Sequence, residues 1–304
     1  MTRSGEGIAL HRTTRTEACR DAIDLQTTLR YKVNMTLDDV AKQDGDAPRP
    51  LLATRWALGL PVMRVALVAA ASALTWLVVN TFESDVAFPP PAMLAAVAML
   101  PVNVICLWLV VRLLRREQRT VRELLGFEPR RIFSDLLWGL LWLAVLYLPF
   151  AGAIMLVVWL QHGSEMFIAM ETVFFDPATV PTLNPIAWTV IAIVAVLTFA
   201  PLNAPTEELV YRGYAQGNLA RRWPTVLAII VPSILFGLQH VWYAPTPDAV
   251  VAFVFAFFVW GVGSGLIYLR QRRLMPLVFA HVLVNLLSTL PALAVPFFLF
   301  ANGA

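Results

Sequence analysis

Seven nearly charge-free stretches, each about twenty residues long, recur along this chain of 304 residues, and they dictate the solvent in which it can fold. They run over 62–82, 92–111, 136–160, 186–204, 226–242, 249–269 and 276–300. At a rise of about 1.5 Å per residue, each is long enough to cross a hydrocarbon layer roughly 30 Å thick. Lipid offers the backbone no hydrogen-bond partners, so only helices or a closed barrel can cross it. The alternating segments of about ten residues that mark a barrel are absent from the sequence. The expected fold is therefore all-α: a polytopic helical membrane protein with about seven transmembrane helices. A composition that is 59% apolar and only 14% charged, with a mean hydropathy of +0.69, agrees.

Charge orders these spans. Arg112, Arg115, Arg116, Arg119, Arg122, Arg130 and Arg131 lie between the second and third, whereas the loops around Glu83 and Asp85, and around Glu165, Glu171 and Asp176, hold no Lys or Arg. The positive-inside rule then puts the arginine loop in the cytoplasm. With seven spans, Arg221 with Arg222, and Arg270 with Arg272 and Arg273, fall on that same side. The stretch 112–122 reads either as an interfacial helix on anionic headgroups or as a solvated loop. The resulting expectation is a multi-pass protein of a bacterial cytoplasmic (inner) membrane, with its N-terminus in the cytoplasm.

Residues 1–55 form a polar N-terminal extension without a basic-then-apolar start, so no cleavable signal peptide is expected; Met35 offers a second start within it. Residues 56–165 hold the first transmembrane helices and the basic loop, and residues 186–300 form the expected catalytic core. A net charge of +3 is too small to argue for nucleic acid, and Cys19 and Cys106 support neither a disulfide framework nor a cysteine metal cluster. Gly261, Gly263 and Gly265 in the sixth span suit close helix packing, since no strand precedes them to make a phosphate loop.

Ionisable groups in apolar spans are unfavourable by about 2.5 to 3.5 kcal/mol each at mid-helix, so each asks for a reason. One cluster is Glu207-Glu208-Leu209-Val210-Tyr211-Arg212-Gly213, after the fourth span. On a helix starting near Pro205, Glu208 and Arg212 are four apart and can pair, while Glu207 projects about 100° away and stays available. Phe236 and His240 form a second cluster, His281 and Asn285 a third, each with the same four-residue spacing. Each has a purely structural reading too, as a salt bridge or as interhelical hydrogen bonding.

Taken in order, EExxxR, FxxxH and HxxxN resemble the motifs of the CPBP family, which contains the type II CAAX prenyl endopeptidases and many Abi-type bacterial proteins. The resemblance spans about residues 186–300. It implies an intramembrane endopeptidase that hydrolyses a peptide bond in a membrane-associated protein or peptide. Glu207 is then the general base on water, helped by His240, with His281 and Asn285 donating to the oxyanion; Glu208, Arg212 and Phe236 support them. Direct binding of zinc or another divalent metal by Glu207, His240 and His281, as in a metalloprotease, is the second version. HExxH is absent, Ser264 has Val262 rather than glycine two residues before it, and Asp176 and Asp248 flank spans. Soluble zincin, rhomboid-like and aspartyl chemistries therefore fit less well. The readings from other classes are a non-catalytic scaffold or bacteriocin-immunity-type protein that keeps the motifs structurally, and a small transporter.

Counting along the helices leaves one conflict. His281 falls about 8 Å, and His240 about 20 Å, from the starts of their spans. Helix tilt, or a chain break between Pro201 and Pro205, could bring them together.

Overall fold

The computed structural model describes residues 51–294, in which helices are the regular secondary structure and no strand is present. Seven helices are long and apolar enough to cross a membrane, matching the expected number. The principal ones are α1 (Leu51–Phe82), α2 (Ala92–Arg116), α3 (Ile132–His162), α4 (Pro185–Glu207), α5 (Thr225–Leu238), α6 (Pro247–Gln271) and α7 (Met275–Thr289). Helix α1 begins at Leu51, inside the segment read as a polar extension up to residue 55; the rest of that segment, and the end of the last span, lie outside the described residues. A break between Pro201 and Pro205, one of the two ways considered to reconcile the helix depths, does not occur, because both prolines lie inside α4. Bundled helices tolerate proline when neighbours and small local adjustments satisfy the freed carbonyls.

Local signals set the helix ends. Asn184 caps α4 by accepting from the Ala187 N–H at 2.8 Å, and Thr246 caps α6 by accepting from Ala249 at 3.1 Å, each followed by a proline at the first helical position. Arginines 112, 115 and 116 are helical rather than part of a loop. They extend α2 itself, which ends before a short helix, Val121–Leu125, closed by a Thr120–Glu123 capping box.

Tertiary contacts sort the loops by end. Arg273, after α6, grips Asp135 through two N–H···O bonds of 2.8 Å and also donates to the Gly126 carbonyl, tying the third basic cluster to the arginine loop. At the opposite end Glu83 accepts from the Thr182 N–H, and Thr246 donates to the Val173 carbonyl. The basic loops thus share one end of the bundle, as the charge pattern predicts.

Helix α6 packs on α5 and α3, α7 packs on α3 and α4, and α2 packs on α1 and α4. Large apolar residues such as Leu74, Leu148, Leu197, Val226 and Leu287 stay exposed on the outside, where a bilayer would cover them. Glycines set the closeness of α5 and α6. A Cβ on Gly261 would lie 2.9 Å from Ser233, one on Gly265 2.8 Å from Ile229, and one on Gly237 2.6 Å from the Val254 carbonyl oxygen. The last neighbour is backbone and cannot swing aside. Gly237→Ala is therefore expected to destabilise by about 1–3 kcal/mol, the usual scale of overpacking. Gly152→Ala, where a Cβ would meet nothing within 4 Å, is the control. Thermal unfolding in detergent compares the two; equal midpoints would show that Gly237 is not a spacing residue.

Candidate active site

The glutamate motif continues the fourth span instead of following it. From Glu208 to Gln216 the backbone is a π-helix, flowing directly out of α4 and buried along its whole length. This wider winding is uncommon and recurs at functional sites, where it re-aims side chains without ending the helix. Here it sends Glu207 and Glu208 toward the same ring. His281 Nδ1 lies 2.9 Å from Glu208 Oε1, and His281 Nε2 lies 3.3 Å from Glu207 Oε2. Glu208 also pairs with Arg212 at 3.4 Å, as its spacing predicts.

His281 and His240 meet across Phe236, whose ring centroid is 6.2 Å from one imidazole and 5.1 Å from the other. The conflict in helical depth disappears here, since rise counting assumes helices that start level and run parallel. His240 stacks on Phe257 at 3.4 Å, places Nδ1 2.7 Å from the Phe236 carbonyl oxygen, and lies within electrostatic reach of Glu207. That contact directs Nδ1–H at the carbonyl and leaves Nε2 as an acceptor. Asn285 is buried one turn beyond His281 on α7, and its Nδ2 makes no hydrogen bond within the protein.

Glu207 is not the unengaged carboxylate that helix geometry alone suggests. Its Oε1 accepts from Arg64 Nη2 at 2.9 Å and from Gln239 Nε2 at 2.8 Å. Arg64 comes from α1, wholly buried, and also donates to Gln239, Asn103 and Asn203; Tyr211 donates to the same Gln239 oxygen at 2.9 Å. The sequence did hold a signal for Arg64: it stands inside the first apolar span, where an arginine needs a partner. Asn103, Asn203 and Gln239 are uncharged, and nothing in their spacing marks them.

The charges of this core balance. Arg64 and Arg212 offset Glu207 and Glu208, so the histidines need carry none. A neutral imidazole has one ring proton, yet both nitrogens of His281 face carboxylate oxygens. If Nδ1–H is held on Glu208, then Nε2 and Glu207 Oε2 confront each other as acceptors, which suits a shared proton or a polarised water.

The donor set does not fit directly bound zinc or another divalent metal. Among the described residues no three His, Cys, Asp or Glu side chains are arranged to hold a metal ion. The guanidinium of Arg64 already lies against Glu207, and His281 has both nitrogens directed at carboxylates. The set Glu207, His240 and His281, considered as zinc ligands from composition, is thus not assembled as one.

Fold and site together define a polytopic helical membrane protein with a buried Glu–His–Arg network. Residues 186–287 match the family model described as type II CAAX prenyl endopeptidase Rce1-like, the resemblance drawn from the three motifs. All seven motif residues, from Glu207 to Asn285, lie within that match, whereas Arg64 and Asn103 lie outside it. No curated protein and no solved structure matches the chain.

Proposed function

We propose that this protein is an intramembrane endopeptidase that hydrolyses a peptide bond in a membrane-associated protein or peptide, with water activated by Glu207. The observation that carries the reading is a pair of buried polar atoms, Glu207 Oε2 and Asn285 Nδ2, which make no hydrogen bond within the protein although they belong to a densely paired network. Buried polar groups are nearly always satisfied, so such atoms mark where a reacting partner belongs.

In this mechanism Oε2 takes a proton from water as its oxygen attacks the scissile carbonyl, and His240 Nε2 orients that water. The tetrahedral oxyanion accepts from Asn285 Nδ2 and His281 Nε2. Donation by His281 requires both ring protons, Nδ1–H on Glu208 and Nε2–H on the oxyanion, so His281 acts here as an imidazolium whose charge the oxyanion offsets. Collapse breaks the C–N bond, and the proton held by Glu207 passes to the leaving amine. Glu208 and Arg212 aim His281. In this reading the Arg-rich end of the bundle faces the cytoplasm and the substrate comes from the bilayer.

The test is cleavage of a broad panel of quenched fluorescent membrane peptides by protein reconstituted in vesicles, against Glu207→Gln. Cleavage by the wild type alone supports the reading. Equal cleavage by both removes Glu207 from the chemistry, and cleavage by neither returns the motifs to a structural role.

A further inference from the structure

We infer that Arg64 is a positioning residue for Glu207: it holds one carboxylate oxygen so that the other is presented to the reaction. The inference rests on the reading of Glu207 as the base, but its starting observation is separate. Arginine frequently grips a carboxylate with two parallel N–H···O bonds. This protein does so elsewhere, where Arg273 holds both oxygens of Asp135 at 2.8 Å. At Arg64 the grip is one-sided. Nη2 is shared between Glu207 Oε1 at 2.9 Å and Asn203 Oδ1 at 2.8 Å, Nη1 is held by Asn103 Oδ1 at 3.0 Å, and Nε by Gln239 Oε1 at 3.1 Å.

Three neutral acceptors thus stop the guanidinium from swinging onto the second oxygen. Asn103 comes from α2, Asn203 from α4 and Gln239 from the turn after α5, so the cradle is assembled from separate parts of the bundle. Gln239 adds its own donor to Oε1, and neither group donates to Oε2. Both strong donors are therefore spent on one oxygen, leaving Oε2 beside His281 Nε2. Engaging both oxygens would leave no acceptor facing the reaction. Aiming a base requires one to stay open.

Two measurements separate this role from simple support. In the vesicle assay, normalised to folded protein, Arg64→Met is expected to lower kcat about 100-fold with KM within about threefold, the consequence of a misaimed catalytic group. Arg64→Lys keeps the charge but offers a point donor in place of a fork, and is expected to recover only part of that loss. The second measurement needs no activity. In protein carrying ¹³C-carboxylate glutamate, the infrared difference between wild type and Glu207→Gln isolates the Glu207 band. Arg64→Met, or Arg64→Lys should the first variant not fold, is expected to move that band.

An unmoved band in a folded Arg64 variant overturns the proposal whether or not any peptide is cut. So does a kcat unchanged from wild type in that variant. If the wild type cleaves nothing while the band moves, the reading of the site as a protease fails and the one-sided grip of Arg64 on Glu207 stands.

Discussion

Glu207→Gln is expected to lower peptide cleavage by about 10²- to 10⁴-fold, the range typical of a missing general base. Glutamine preserves shape. Its carbonyl oxygen can still accept from Arg64 and Gln239, while its amide nitrogen replaces Oε2, and an amide takes no proton from water. The substitution also leaves the buried Arg64 without its counter-charge, and breaking a buried ion pair typically destabilises by about 3–5 kcal/mol. Activity must therefore be normalised to folded protein, by unfolding midpoint and helical circular dichroism. Turnover per folded molecule within threefold of wild type would sink the general-base assignment. Loss of turnover with a retained fold would separate chemistry from support.

A large effect on stability is also expected at Arg212. Its guanidinium pairs with Glu208 at 3.4 Å and lies 4.3 Å over the Phe236 ring, with both charged groups buried. Arg212→Met leaves Glu208 with His281 as its remaining donor and is expected to destabilise by about 3–5 kcal/mol. The pair between Arg131 and Glu128 is shorter, at 2.7 Å, but both side chains are more than half exposed. Arg131→Met should therefore change stability by only about 0–1 kcal/mol, because water replaces what is lost. Unfolding of the two variants in the same detergent decides whether burial outweighs distance. An Arg212 variant no less stable than the Arg131 variant would show that Glu208 is held by other groups.

Sequence reasoning went wrong in instructive ways. Placing Glu208 opposite Arg212 needs only their separation along the chain, and that pair forms. The same reasoning left Glu207 unpartnered, because a helical wheel describes one helix and Arg64 arrives from another. It also treated the motif as following the fourth span, although a π-helix carries the span through it. Hydropathy averages had hidden the polar groups at its end. The apolar window closes at residue 111 while α2 runs on to Arg116, because the first charges end an apolar window without ending the helix.

Seven spans, their alternation between two ends, and the residues able to carry chemistry are legible along the chain. Transfer of each side chain from water to lipid is a local free energy that a window of residues can sum. The partners of those residues are not written at any fixed separation. Arg64 lies 143 residues from Glu207, and the two meet because α1, α2, α4 and the turn after α5 pack around one point. That meeting selects which oxygen of Glu207 is held and which is left open. Such choices depend on angstrom-scale contacts between helices, which a sequence permits but folding alone assembles.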